Sequence, residues 1–184
     1  PDGLITYQSY NGENVVITGA YHGVYLGLGR DYIKIDGIMI DGTSQETSPL
    51  AIFVRIFGSH NVIQNCKMFY LKIDSDWQKG IYIHEEGSYN KILYNEIKYV
   101  GWAQPPSSQD VGEAIWVEGR HNLIEGNKLD FCGHNTLVVS GDCNIFRRNE
   151  LRGQWGRPLG LGGIDPQAHN VIEENLIWDA QGLD

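Results

Sequence analysis

The chain has 184 residues, 41% of them hydrophobic and 20% charged, which suits one folded domain with a sizeable core and excludes general disorder. A net charge of −9 with no cluster of Lys or Arg argues against nucleic-acid binding, which depends on neutralising phosphates. No stretch reaches the roughly 18 consecutive apolar residues that a membrane-spanning helix requires.

In chain order the sequence repeats itself. A degenerate copy runs from Asp31 through Ile33, Ile35 and Ile38 to Ile40. Four clear copies follow, opening at Gly58-Ser59-His60-Asn61, Gly87-Ser88-Tyr89-Asn90, Gly119-Arg120-His121-Asn122 and Gly141-Asp142-Cys143-Asn144. Two places beyond each Asn stands an apolar anchor: Ile63, Ile92, Ile124 and Phe146. Then come Cys66, Asn95, Asn127 and Asn149, and after them Met68, Ile97, Leu129 and Leu151. A last copy carries His169-Asn170, Ile172, Asn175 and Ile177.

The anchors at 35, 63, 92, 124, 146 and 172 are spaced by 28, 29, 32, 22 and 26 residues. Unequal steps around a constant motif describe one coil per repeat, with insertions confined to loops. Alternating apolar positions and many β-branched residues make each motif a strand. Coils stacked about 4.8 Å apart would pair every backbone group with a neighbouring rung, and would let the repeated Asn side chains form amide ladders at buried turns.

A second strand precedes each Gly. Aligned by sequence these read Gly23–Gly27, Ala51–Arg55, Gly80–His84, Ala114–Glu118, Thr136–Ser140 and Pro158–Gly162. Val24, Ile52, Ile81, Ile115, Leu137 and Leu159 are then inward, and three outward columns emerge. One is small, from Gly23 and Ala51 to Gly80, Ala114 and Thr136. One is aromatic: Tyr25, Phe53, Tyr82 and Trp116. The third is Gly27, Arg55, His84, Glu118 and Ser140.

The pattern [His/Tyr]-Asn-x-Ile-x-x-Asn-x-Ile resembles the parallel β-helix repeat of the pectate-lyase-like superfamily, over roughly residues 14 to 180. The resemblance implies an all-β, right-handed parallel β-helix of about six rungs, in one domain. It also implies a secreted or cell-surface protein whose partner is a polysaccharide. It does not imply an activity, because the same repeat serves lyases, hydrolases and non-catalytic surface and tail-fibre proteins.

Sugars have an apolar C–H face and a polar rim, so the aromatic column suits them; the same rings can equally pack under overlying loops. Insertions at 72–79, 101–112 and 152–156 precede this strand and bring Trp77, Trp102 and Trp155, as loops gathered on one side of a solenoid build its binding face. Arg55, His84 and Glu118 form the most reactive set: a carboxylate beside an imidazole, with a cation for developing charge. A plain surface charge ladder is the other reading. Lys79, Glu113, Asn135 and Arg157, with His134 beside them, stand at the strand entrance as possible substrate contacts.

For hydrolysis Glu118 would need a second carboxyl from Glu113, Glu85, Glu86 or Asp142. For β-elimination Lys79, His84, Arg55 or Arg157 is the candidate base, with Ca²⁺ or an Arg neutralising a uronate. No cofactor is otherwise called for. The signatures of the polygalacturonase-type enzymes are absent apart from fragments at Gly133-His134-Asn135 and Arg55-Ile56-Phe57, and the Arg-x-Pro-x-x-Arg element of pectate lyases is missing. The resemblance therefore transfers a fold and a substrate leaning without a catalytic residue. Cys66, Cys132 and Cys143 show no metal-ligand spacing and read as buried or incidental thiols, so no zinc site is expected. The His at 60, 121 and 169 recurs with the repeat and reads as structural. With no polar cap visible at either end, the chain is expected to be part of a longer one or to have its ends covered by a partner, such as another β-helix segment.

Overall fold

A computed structural model describes residues 3–18, 22–43, 52–71, 78–101, 112–153, 157–161 and 169–178. Among the described residues every regular element is a strand, and every strand pair is parallel. The strands form two sheets of seven and one of six, and the chain visits the three in rotation. In a typical coil, Glu113–Val117 lies in the third sheet, Leu123–Glu125 in the first and Lys128–Asp130 in the second. The fold is a parallel β-helix.

The anchors read from the sequence line up. Ile35, Ile63, Ile92, Ile124, Phe146 and Ile172 are register partners down the first sheet. Ile40, Met68, Ile97, Leu129, Leu151 and Ile177 are partners down the second. An additional N-terminal coil continues both sheets, with Tyr7 beside Ile35 and Ile17 beside Ile40. Together with Ile81, Ile83, Ile115 and Val117 of the third sheet, the anchors from Ile35 to Phe146 and from Ile40 to Leu151 make one apolar core. At the outermost coils the core positions are uncovered: Ile172 and Ile177 are 40% and 44% exposed, where Ile92 and Ile97 are at 0%.

Two Asn ladders close the turns. Asn61, Asn90, Asn122 and Asn144 each donate a backbone N–H to the side-chain oxygen of the next Asn, at 2.8–2.9 Å. Each side-chain amide also donates backwards; that of Asn122 reaches the Gly87 carbonyl at 3.1 Å. The second ladder runs from Cys66 through Asn95, Asn127 and Asn149 to Asn175 in the same way, at 2.9–3.0 Å. A buried amide with no water to bond must find such a partner, which is why one residue type recurs.

The Gly that opens the repeat at positions 58, 119 and 141 is required by contact with the backbone of the preceding coil. A Cβ on Gly119 would fall against the carbonyl oxygen of Gly87, and one on Gly141 against that of Gly119.

The third sheet departs from the sequence alignment in one coil. Ile52 pairs with Lys79 and Arg55 with Tyr82, so Phe53 faces Gly80 and not Tyr82. Phe53 is fully buried and lies against Gly42, so it cannot stack on a ligand. In the middle coils the small column, expected to face solvent, is also buried: Ala114 and Thr136 are at 0%, and a Cβ on Gly80 would meet Ile97 at 2.9 Å, while Gly23 is half-buried and Ala51 lies outside the described residues. The residues are small because the strand entrance is a corner packed against the second sheet.

Gly119→Ala is expected to cost about 3 kcal/mol, near the upper end for overpacking, whereas Gly3→Ala, in open space, should be silent in urea unfolding. Asn122→Ala strands the Asn90 N–H and the Gly87 carbonyl and should cost about 3 kcal/mol in the same measurement.

Candidate functional site

The corrected register defines the outward face of the third sheet. Its central column is Tyr25, Arg55, Tyr82, Trp116, Val138 and Gly160. Alongside, two residues further along each strand, Phe57, His84, Glu118 and Ser140 follow one another by backbone hydrogen bonds from rung to rung. Phe57 thus takes the place expected for Arg55, and Arg55 takes the place expected for Phe53.

These side chains interlock. Tyr25 is 55% exposed, with His22 stacked 5.8 Å on one side and Phe57 tilted 5.7 Å on the other. Phe57 stacks on His84 at 4.3 Å. The Arg55 guanidinium lies over Phe57 at 4.8 Å and near the Tyr82 ring at 5.7 Å. Its Nε is buried and finds no hydrogen-bond partner among the described residues. Arg55 forms no ion pair with a carboxylate among them, although the chain is acidic overall.

Glu118 is held differently from His84. The Tyr82 hydroxyl donates a hydrogen bond to the Glu118 carboxylate. Burial, reinforced by that carboxylate, pushes the Tyr82 phenol well above its ordinary range, so it stays a donor. His84 places Nδ1 3.2 Å from Glu86. His22 is pushed down, first by burial and then by Arg55, which favours the neutral imidazole. The expected trio therefore surrounds Tyr82: Arg55 on the preceding rung, Glu118 bonded to its hydroxyl, and His84 edge-on at 5.9 Å.

The strand-entrance residues form a second group, more buried than expected. Lys79 and Glu113 are 2% and 3% exposed and pair at 3.2 Å. The Lys79 ammonium sits 4.2 Å over the Trp116 ring. His134, which is exposed, reaches Glu113 at 3.5 Å and Asn135 at 3.0 Å. Trp116 Nε1 and Asn135 Oδ1 are buried without a partner among the described residues. The strand Arg157–Leu161 places Arg157 beside Asn135, and its side chain lies outside the described residues. Trp77, Trp102 and Trp155 also lie outside them.

Phe57 and His22 were missed in the sequence. Phe57 was visible only as the residue before Gly58, the place that Glu118 and Ser140 hold before Gly119 and Gly141. That offset of one was the available signal.

Burial pushes the Glu113 carboxyl up, against the pull of Lys79 and His134. A raised folded-state value means that Glu113 favours the fold most when protonated, and that this contribution is lost as pH rises through that value. Lys79→Met removes the paired cation and should cost about 3 kcal/mol at neutral pH. The cost should shrink on acidification as Glu113 takes up a proton, measured by urea unfolding across the acidic range.

No protein-family model matches the chain, and no solved structure matches it. The chain is similar to the tail spike protein of Salmonella phage epsilon15, at 23% identity over 205 aligned residues. The alignment takes in 92% of this chain and 18% of that protein, so the chain spans less than a fifth of its relative.

Proposed function

We propose that this chain is a polysaccharide-binding β-helix module of a tail-spike-like surface protein, and that the glycan lies along the outward face of the third sheet from Tyr25 to Trp116. The observation that carries the proposal is the mixed composition of that face. Tyr25 and Phe57 offer apolar surface to a sugar's C–H face, while Arg55, His84 and Glu118 stand beside them for its hydroxyls. The Arg55 guanidinium, without a carboxylate partner among the described residues, also suits a sugar carboxylate. Similarity to a phage tail spike supports the same reading, since a spike projecting from a virion meets the outside of a bacterial cell. It also supports an extracellular setting.

Cleavage is the second reading, and the adjacency of His84 and Glu118 on neighbouring rungs favours it. In that reading Glu118 or His84 handles the proton and Arg55 stabilises negative charge, as lyase or hydrolase chemistry requires. Calcium enters only if the reaction is β-elimination of a uronate.

Titration with neutral and uronic-acid oligosaccharides, with and without Ca²⁺, should change tryptophan fluorescence, and Tyr25→Ala and Arg55→Ala should each weaken binding about tenfold. Product release abolished by Glu118→Gln or His84→Ala would establish cleavage; binding without products would leave a binding module. Absence of binding to every sugar overturns the proposal.

A further inference from the structure

The turn from the third sheet to the first carries a left-handed residue in successive coils: Tyr32, His60, Tyr89, His121 and Cys143, with φ between 55° and 59°. The first four are rings stacked face to face, 4.9–5.1 Å apart and within 9° of parallel. The stack then gives way to different chemistry. Cys143 replaces the ring, and His169 occupies the same place on the following rung, aligned by the Asn144-to-Asn170 bond. Asp142 adds a carboxylate immediately before the Cys.

The Cys143 sulfur, an Asp142 carboxylate oxygen and a His169 ring nitrogen all lie within 4.8 Å of one another. Asp142 Oδ1 accepts the His169 backbone N–H at 2.7 Å and stands 3.5 Å from His169 Nδ1. We propose that these three residues form a zinc-binding site at the edge of the solenoid, separate from the glycan face.

Three features support it. Thiolate, imidazole and carboxylate together are a donor set that zinc accepts and that hard cations such as Ca²⁺ or Mg²⁺ do not favour. Zinc bonds of about 2.0–2.3 Å require donors roughly 3.3–3.8 Å apart, so the cluster needs to close by only about 1 Å. Its side chains can do so by rotation: His169 is exposed and Asp142 and Cys143 are half-buried. The backbone beneath them is meanwhile fixed by the ladder through Asn144 and Asn170. Three protein ligands leave a fourth position for water, as in open zinc sites.

The sequence concealed this arrangement. Zinc motifs are recognised by short ligand spacings along one chain segment, but here the ligands come from adjoining coils, at 142, 143 and 169. The other two thiols provide an internal contrast, because Cys66 and Cys132 are buried in the core, whereas Cys143 stands half-buried at the turn.

The test is titration of the full chain with Co²⁺ as a spectroscopic substitute for zinc, followed by displacement with Zn²⁺. The expected result is a thiolate-to-cobalt charge-transfer band saturating at one equivalent and abolished by Zn²⁺. Cys143→Ser should eliminate the band without changing the melting temperature of the metal-free protein, and His169→Ala or Asp142→Asn should weaken Zn²⁺ binding at least about tenfold. Absence of a charge-transfer band overturns the proposal, as does a band that survives Cys143→Ser or Zn²⁺ binding indifferent to both other variants.

Discussion

Contact between successive coils governs the rest of the structure. Parallel pairing brings the backbone of one rung within about 4.8 Å of the next, and a turn repeated at that spacing leaves its peptide groups facing each other. Wherever the chain turns inside the coil, an N–H and a carbonyl must be satisfied without water. Asn meets both needs, accepting through one side-chain atom and donating through the other, as Asn122 does towards Asn90 and Gly87. The close approach that permits this excludes a Cβ at Gly119 and Gly141. The conserved spacing of Gly and Asn within the repeat is therefore a record of one steric and one hydrogen-bonding constraint, applied several times.

Because stacking repeats every position, side chains are presented as columns, and a site arises wherever a column changes character. Along the outer face of the third sheet the column passes from Tyr25 through Arg55 and Tyr82 to Trp116, then ends in Val138 and Gly160. At the corner beside it a buried Lys79–Glu113 pair supports Trp116 from beneath. Burying that pair costs desolvation which a hydrophobic corner would avoid. Its contact with the Trp116 ring and its link to His134 tie the corner to the outer face.

The core and both ladders were legible in the sequence, because burial and hydrogen bonding restrict those positions to a few residue types. Register in the third sheet was not. Between His84 and Gly87 the chain carries two additional residues, Glu85 and Glu86, where Phe57, Glu118 and Ser140 each directly precede their Gly. A one-residue slip would have turned apolar side chains to solvent and revealed itself; a two-residue slip preserves the alternation. Such a slip exchanges Arg55 with Phe53 while every inward position keeps an apolar residue. Alternation also failed at the strand entrance, since Ala114 and Thr136 obey a corner and not a flat strand. The first coil is hidden in the sequence because Tyr7 stands where most later coils have Ile, and no Asn follows at the matching place.

The same physics explains how such a fold changes function without changing itself. The turn position occupied by Tyr32, His60, Tyr89 and His121 projects from the coil, and its backbone is held by the neighbouring Asn ladder and not by its own side chain. Replacing a ring by Cys143 leaves the ladder intact, with Asn144 still donating to Asn170. Selection on such a position answers to whatever the surface meets. The ligand of any one β-helix must therefore be argued from its own columns, and here those are an aromatic face with an Arg that has no carboxylate partner among the described residues, and a turn where rings yield to sulfur, carboxylate and imidazole.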